Sequence, residues 1–184
     1  MGPAGVPSGA YPFRSAAGAR FGAYCEMTLA AGGWTLVGQS GAGSTNSFGW
    51  SSATGSVTDT TNAYSLDAIG HGLTMTEALL ATGTRTAIGA AYVVKVPAGF
   101  PGGFATVDAP TGGTTKVQNP TCPTTNAPAM MKKMGHTADT AQFFFRDVGG
   151  DYPVGLFPAG WDLYWSDCGN CGGFKSVKGM LFVR

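Results

Sequence analysis

A chain of 184 residues and 18.7 kDa is long enough to form one domain with a sizeable core. Only 11% of its residues are charged and the net charge is +1, with Lys and Arg scattered along the chain, so it lacks the electrostatic footprint of a nucleic-acid binder. Its 30 glycines, together with frequent Ser and Thr, suit a loop-rich β protein with a neutral polar surface.

In chain order, Gly-Pro-Ala-Gly-Val-Pro over residues 2–7 makes a pair of Gly-x-y triplets, too short for a triple helix. It sets a short Gly/Pro-rich segment, residues 1–7, apart from a single domain over residues 8–184. The start lacks the charged and apolar regions of a secretory signal, so Met1 is expected to open either a trimmed chain or a protein made without export. Tyr24-Cys25-Glu26-Met27-Thr28, followed by Ala31-Gly32-Gly33-Trp34-Thr35-Leu36-Val37, reads as two strands joined by a tight loop. Its adjacent glycines supply the positive φ angles of such a turn.

Residues 40–63, rich in Ser, Thr, Gly and Asn with Phe48 and Trp50 embedded, predict a long surface loop. Thr74-Met75-Thr76-Glu77-Ala78-Leu79-Leu80 predicts a helix, because Thr74 and Glu77 have the spacing of a capping box. Ala91 to Val96 predicts a buried strand, and the apolar run before Lys95 is too short to span a bilayer. Residues 98–128 and the pair Lys132-Lys133 read as loops. Gln142-Phe143-Phe144-Phe145-Arg146, Trp161-Asp162-Leu163-Tyr164-Trp165 and Gly179-Met180-Leu181-Phe182-Val183 predict further strands. The expected class is α+β: strand-dominated, with long irregular loops and few short helices.

Cys25, Cys122, Cys168 and Cys171 are disulfide candidates that allow three pairings, and sequence does not choose among them. The Cys168-Gly169-Asn170-Cys171 spacing also occurs in zinc and redox sites, but a zinc site normally takes two such pairs. Disulfides are therefore expected ahead of free thiols and of zinc. His71 and His136 stand without a second ligand in register, and the sequence carries no nucleophile elbow, phosphate-binding loop or His-Glu-x-x-His. A non-enzymatic role is expected.

Ser8-Gly9-Ala10-Tyr11, Tyr24-Cys25-Glu26-Met27 and Ala31-Gly32-Gly33-Trp34-Thr35 resemble the opening of the fibrinogen-like C-terminal domain family. That family reads Ser-Gly-x-Tyr, Tyr-Cys-Asp-Met and Gly-Gly-Gly-Trp-Thr. Met180-Leu181-Phe182-Val183-Arg184 resembles the closing strand of its bacterial members. The resemblance covers residues 8–38 and the last five. Glu26 departs from the family's Asp and Ala31 from its first Gly, and no cysteine precedes Cys25, where the family places its bridging partner.

The resemblance implies a fibrinogen-like domain with calcium held near its C-terminal end. Asp147 and Asp151 are the candidates, with Asp162 and Asp167 further on, although the family's Asp-x-Asp is missing. Turn-capping beside glycine is the competing reading of these aspartates. The resemblance also implies a ligand pocket beside the calcium loop, for which Tyr152, Trp161, Tyr164, Trp165 and Phe174 stand in position. Phe143 and Phe145 read as core, as does Trp34, and core is the competing reading of Trp161 and Trp165. The functional expectation is a recognition or adhesion module of a phage virion (tail fibre or tail tip) or another extracellular assembly, binding cell-surface glycans. The alternative is a structural virion protein, a cement or adaptor contacting other virion subunits. Either is expected to be a homo-oligomer, a trimer first, without membrane insertion.

Overall fold

The computed structural model describes residues 5–40, 52–95 and 179–184, together with the backbone of short strands between 108 and 176. The strands are β1 (Gly9–Arg14), β2 (Arg20–Glu26), β3 (Trp34–Gln39), β4 (Ala53–Thr54), β5 (Tyr64–Leu66), β6 (Glu77–Thr84) and β7 (Ala87–Lys95). They continue with β8 (Asp108–Pro110), β9 (Thr114–Gln118), β10 (Met130–Lys132), β11 (Phe143–Phe145), β12 (Val154–Leu156), β13 (Leu163–Trp165), β14 (Lys175–Ser176) and β15 (Gly179–Val183). Nine of them form one antiparallel sheet in the order β1-β2-β3-β15-β6-β7-β9, with β5 added on β3 and β4 on β5. β8 pairs with β10, and β11 to β14 form a four-stranded antiparallel sheet.

The expected β2–turn–β3 unit is present, with Cys25 opposite Thr35 and Glu26 opposite Trp34. β3 then changes partner along its length: Gly38 and Gln39 pair with Ser65 and Tyr64 of β5. Its other edge is taken by β15, where Val37 is the extra residue of a bulge between the Phe182–Leu36 and Leu181–Gly38 pairs. β15 is therefore central, and every residue of it is buried. Its apolar run Met180-Leu181-Phe182-Val183 reads that way because a strand covered on both faces needs no alternation. Trp34, Leu36, Leu79, Met180, Leu181 and Phe182 are the largest fully buried side chains. Each contributes on the order of 2 kcal/mol by removal from water.

The expected α+β class is corrected by the described residues, half of which lie in strands. Their only helical element is the three-residue 3₁₀ turn Leu29–Ala31, and the fold leans to all-β. The predicted helix over Thr74–Leu80 is instead the approach to β6 and that strand's first four residues. Ala78 and Leu79 are consecutive and both fully buried, with Leu79 between Phe182 of β15 and Val93 of β7. Neighbours buried on both faces suit a central strand, whereas a surface helix buries one stripe. The capping-box geometry gives way as well: the Glu77 N–H donates to the Arg184 carbonyl at 3.0 Å. The loop predicted over 98–128 contains β8 and β9, and Lys132 closes β10. The predicted strand from Ala91 begins earlier, at Ala87.

The main sheet curls. β3 and β15 separate β2 from β6, yet the Tyr24 hydroxyl on β2 donates to the carbonyl of Arg85 in the β6–β7 turn at 3.1 Å. Only a strongly coiled sheet brings these strands together, and the register shift between Ala81 and Gly83 supplies local curvature. Among the described residues, no helix is long and apolar enough to cross a membrane.

Candidate functional site

Polar groups gather at three places on this scaffold. The first is the end of β2. Glu26 is buried, and its Oε1 accepts from the backbone N–H groups of Thr28 at 2.6 Å and Leu29 at 3.0 Å and from the Thr28 hydroxyl. Its Oε2 accepts from the Ser8 hydroxyl at 2.9 Å, and Ser8 Oγ in turn accepts from the Met27 N–H at 2.9 Å. Burial alone would raise the carboxyl, but these hydrogen bonds outweigh it and hold its pKa below the usual value of 4.5. A depressed pKa gives stability that is present above the unfolded-state value and lost as pH falls through the folded one. Thermal melts are therefore expected to decline as pH drops below about 5. Glu26→Gln should remove part of that acid sensitivity. Another part belongs to exposed Asp59, held low by hydrogen bonds from Asn62 and Thr61.

The second place joins the chain's opening to its end. Arg184 Nε and Nη2 both reach Glu77 Oε2 at 2.7 Å, and Nη1 donates to the carbonyls of Ala30 and Gly32 at 2.9 Å each. The guanidinium carbon sits 4.0 Å from the centroid of the Trp34 ring. With both ionic partners part-exposed, the pair itself contributes roughly 0.5 kcal/mol. The two carbonyl bonds and the cation–π contact matter more.

The third place is a buried cation. Arg85 opens the Arg85-Thr86 turn of the β6–β7 hairpin, yet it is only 3% exposed. Its Nε donates to Gln39 Oε1 at 2.7 Å and its Nη1 to the Val57 carbonyl. The guanidinium carbon lies 5.2 Å from the Tyr24 ring centroid and 5.0 Å from that of Tyr64. Gln39 Nε2 donates on to the Asn62 carbonyl at 2.8 Å, so loop 56–62 is strapped over the arginine. Burial pushes the Arg85 pKa down while the two phenols oppose it; burial pushes Tyr64 up to about 12.

No family model matches the chain, and no curated protein matches it.

Of the residues singled out in the sequence, Tyr164 and Trp165 occupy successive positions of β13, opposite Gly155 and Val154 of β12. Tyr152, Trp161, Phe174, Asp147, Asp151, Cys122, Cys168 and Cys171 lie outside the described residues. Cys25 is a free, buried thiol, and burial raises its pKa although Thr35 hydrogen-bonds to it. It is expected to resist alkylation in the folded chain and to react on unfolding, read by peptide mass mapping without reductant. A peptide cross-linked through Cys25 would contradict this. His71 packs flat on Phe21 with centroids 3.9 Å apart, and Phe21 stacks on Phe13 at 5.6 Å. Among the described residues, no three His, Cys, Asp or Glu side chains gather to hold a metal.

Sequence reasoning passed over Arg85 and Arg184. The available signal for Arg184 was its place directly after an apolar strand. For Arg85 there was no such signal, because the run before it reads as a helix.

Proposed function

We propose that the chain is a non-enzymatic recognition module of the fibrinogen-like kind, carried on a virion or another extracellular assembly and contacting cell-surface glycans. The observation that carries this reading is the meeting of the two segments that resemble the family. β3 and β15 pair at the centre of the main sheet, and Arg184 ties the end of β15 to Trp34 and the Ala30–Gly32 turn. Segments at opposite ends of the sequence thus build one scaffold.

In sequence, residues 119–178 separate β9 from β15. They hold Tyr152, Trp161, Tyr164, Trp165 and Phe174, the proposed aromatic contacts, and Asp147 and Asp151, the proposed calcium ligands. Aromatic faces stack on the apolar faces of sugar rings, and a chain with 11% charged residues grips neutral sugars by stacking and hydrogen bonding. A trimer would multiply a weak single-site affinity.

The test is a glycan-array screen of the purified chain, with calcium and then with chelator. Calcium-dependent capture of one sugar class, lost in Trp161→Ala or Trp165→Ala variants that keep the wild-type melting temperature, is the expected result. Capture that survives chelation would discard the metal and keep the lectin. Silence in both arms from a folded chain would overturn the reading in favour of a structural virion protein that contacts only other subunits.

A further inference from the structure

The turn between β2 and β3 is clamped by groups of two origins. Its first half is held locally. Glu26 Oε1 accepts from the Thr28 and Leu29 N–H groups, and the Leu29 carbonyl accepts from the Trp34 indole at 2.9 Å and the Gly32 N–H at 2.7 Å. The carbonyls of Ala30 and Gly32, which straddle Ala31, are held from far away. Arg184 Nη1 donates to both at 2.9 Å, from 154 and 152 residues downstream.

The distant clamp falls on the strained part of the turn. Ala30 and Ala31 have φ of 45° and 71°, a left-handed conformation that disfavours any residue with a Cβ. Strain of this kind persists only where surrounding contacts over-determine it. The outer side of the turn has room to move: Ala31 and Gly33 are exposed, and a Cβ on Gly33 would meet nothing within 4 Å. The backbone of Arg184 is secured separately. Its N–H donates to the Glu77 carbonyl at 3.0 Å, and its carbonyl accepts from the Thr76 and Glu77 N–H groups at 2.8 and 3.0 Å. Loss of the guanidinium therefore frees the turn and leaves β15 paired with β6.

We infer that Arg184 is a latch on a two-state turn. Seated, its guanidinium holds Ala30 and Ala31 in the left-handed conformation and covers one face of the Trp34 ring, 4.0 Å from its centroid. Withdrawn, it lets both alanines relax to negative φ and uncovers that face while the sheet stays intact. The shape of an exposed turn near the start of the chain thereby depends on the seating of its last strand.

The experiment is NMR on the full chain, reading the nuclear Overhauser cross-peak between each alanine's own amide and Hα protons. That cross-peak is strong at positive φ and weak at negative φ. Ala30 and Ala31 are expected to give strong cross-peaks in wild type and weak ones in Arg184→Met, with the cross-strand contacts of β15 to β6 retained. Glu77→Gln leaves both carbonyl bonds in place and should keep the cross-peaks strong. Ala31→Gly added to Arg184→Met should raise the left-handed population about fivefold, seen at Ala30, because glycine takes positive φ freely. A merely structural arginine would show no such rescue. Should Arg184→Met not fold, Arg184→Lys serves: its one nitrogen cannot serve Glu77 and both carbonyls as the planar fork does, so the Ala31 cross-peak should weaken. Full-strength cross-peaks in the Arg184 variant, equal weakening in Glu77→Gln, or no recovery with Ala31→Gly would each overturn the latch.

Discussion

Trp34→Ala is expected to destabilise the chain by about 4 kcal/mol, a drop in melting temperature of roughly 12 °C for a domain of this size. The indole is fully buried at the start of β3, so truncation opens a large cavity in the central part of the sheet. Its Nε1–H donates to the Leu29 carbonyl at 2.9 Å, and that carbonyl also accepts from the Gly32 N–H at 2.7 Å. Its face carries the Arg184 guanidinium at 4.0 Å. Trp34→Phe restores most of the volume but neither the N–H nor the wider π surface, and should cost about 1–2 kcal/mol. In a double-mutant cycle, Trp34→Phe and Arg184→Met should couple by roughly 0.5–1 kcal/mol, because each removes half of one contact. A Trp34→Ala chain with a urea midpoint close to wild type would contradict the central position assigned to this residue.

The same contacts explain what was legible in the sequence. The β2–turn–β3 unit could be read because its signals are local: two glycines, then Trp-Thr-Leu-Val. β15 could be read as a strand from its unbroken apolar run. Which strands it would join could not, since its partners Leu36 and Leu79 lie more than a hundred residues upstream. The false helix over Thr74–Leu80 arose because a capping box is a four-residue pattern. The interactions that overrule it, Glu77 with Arg184 and Leu79 with Phe182, are set by the return of the chain's last strand. Arg85 was invisible for a related reason. An arginine in a two-residue hairpin turn reads as solvated until curling of the sheet sets it against Tyr24, Tyr64 and loop 56–62. The aromatic and aspartate candidates followed from a resemblance that covers none of residues 97–178, and the cysteine candidates from a count that leaves their pairing open, so no local physics tied them to one another.

Gly32→Ala is expected to cost about 3 kcal/mol or more, against about 1 kcal/mol for Gly33→Ala next to it. Four consecutive residues of this turn have positive φ: Ala30 at 45°, Ala31 at 71°, Gly32 at 71° and Gly33 at 79°. Gly32, with ψ −166°, lies in a region open essentially to glycine alone, and a Cβ there would stand 2.3 Å from the Met27 carbonyl oxygen. The obstacle is backbone and cannot swing away. A Cβ on Gly33 would meet nothing within 4 Å, so only the left-handed penalty applies. Ala31 already bears that penalty where the resembling family has glycine. Ala31→Gly should accordingly stabilise the chain by about 0.5 kcal/mol, the relief of strain being partly offset by a freer unfolded chain. The turn holds this conformation because Arg184 binds the Ala30 and Gly32 carbonyls while Leu29 receives the Trp34 and Gly32 N–H groups. Urea midpoints of the three variants should therefore rank Ala31→Gly above wild type, Gly33→Ala below it and Gly32→Ala far below. Equal losses at Gly32 and Gly33 would mean that the Met27 carbonyl yields to a side chain. A loss at Ala31→Gly would mean that chain entropy, and not backbone strain, dominates this turn.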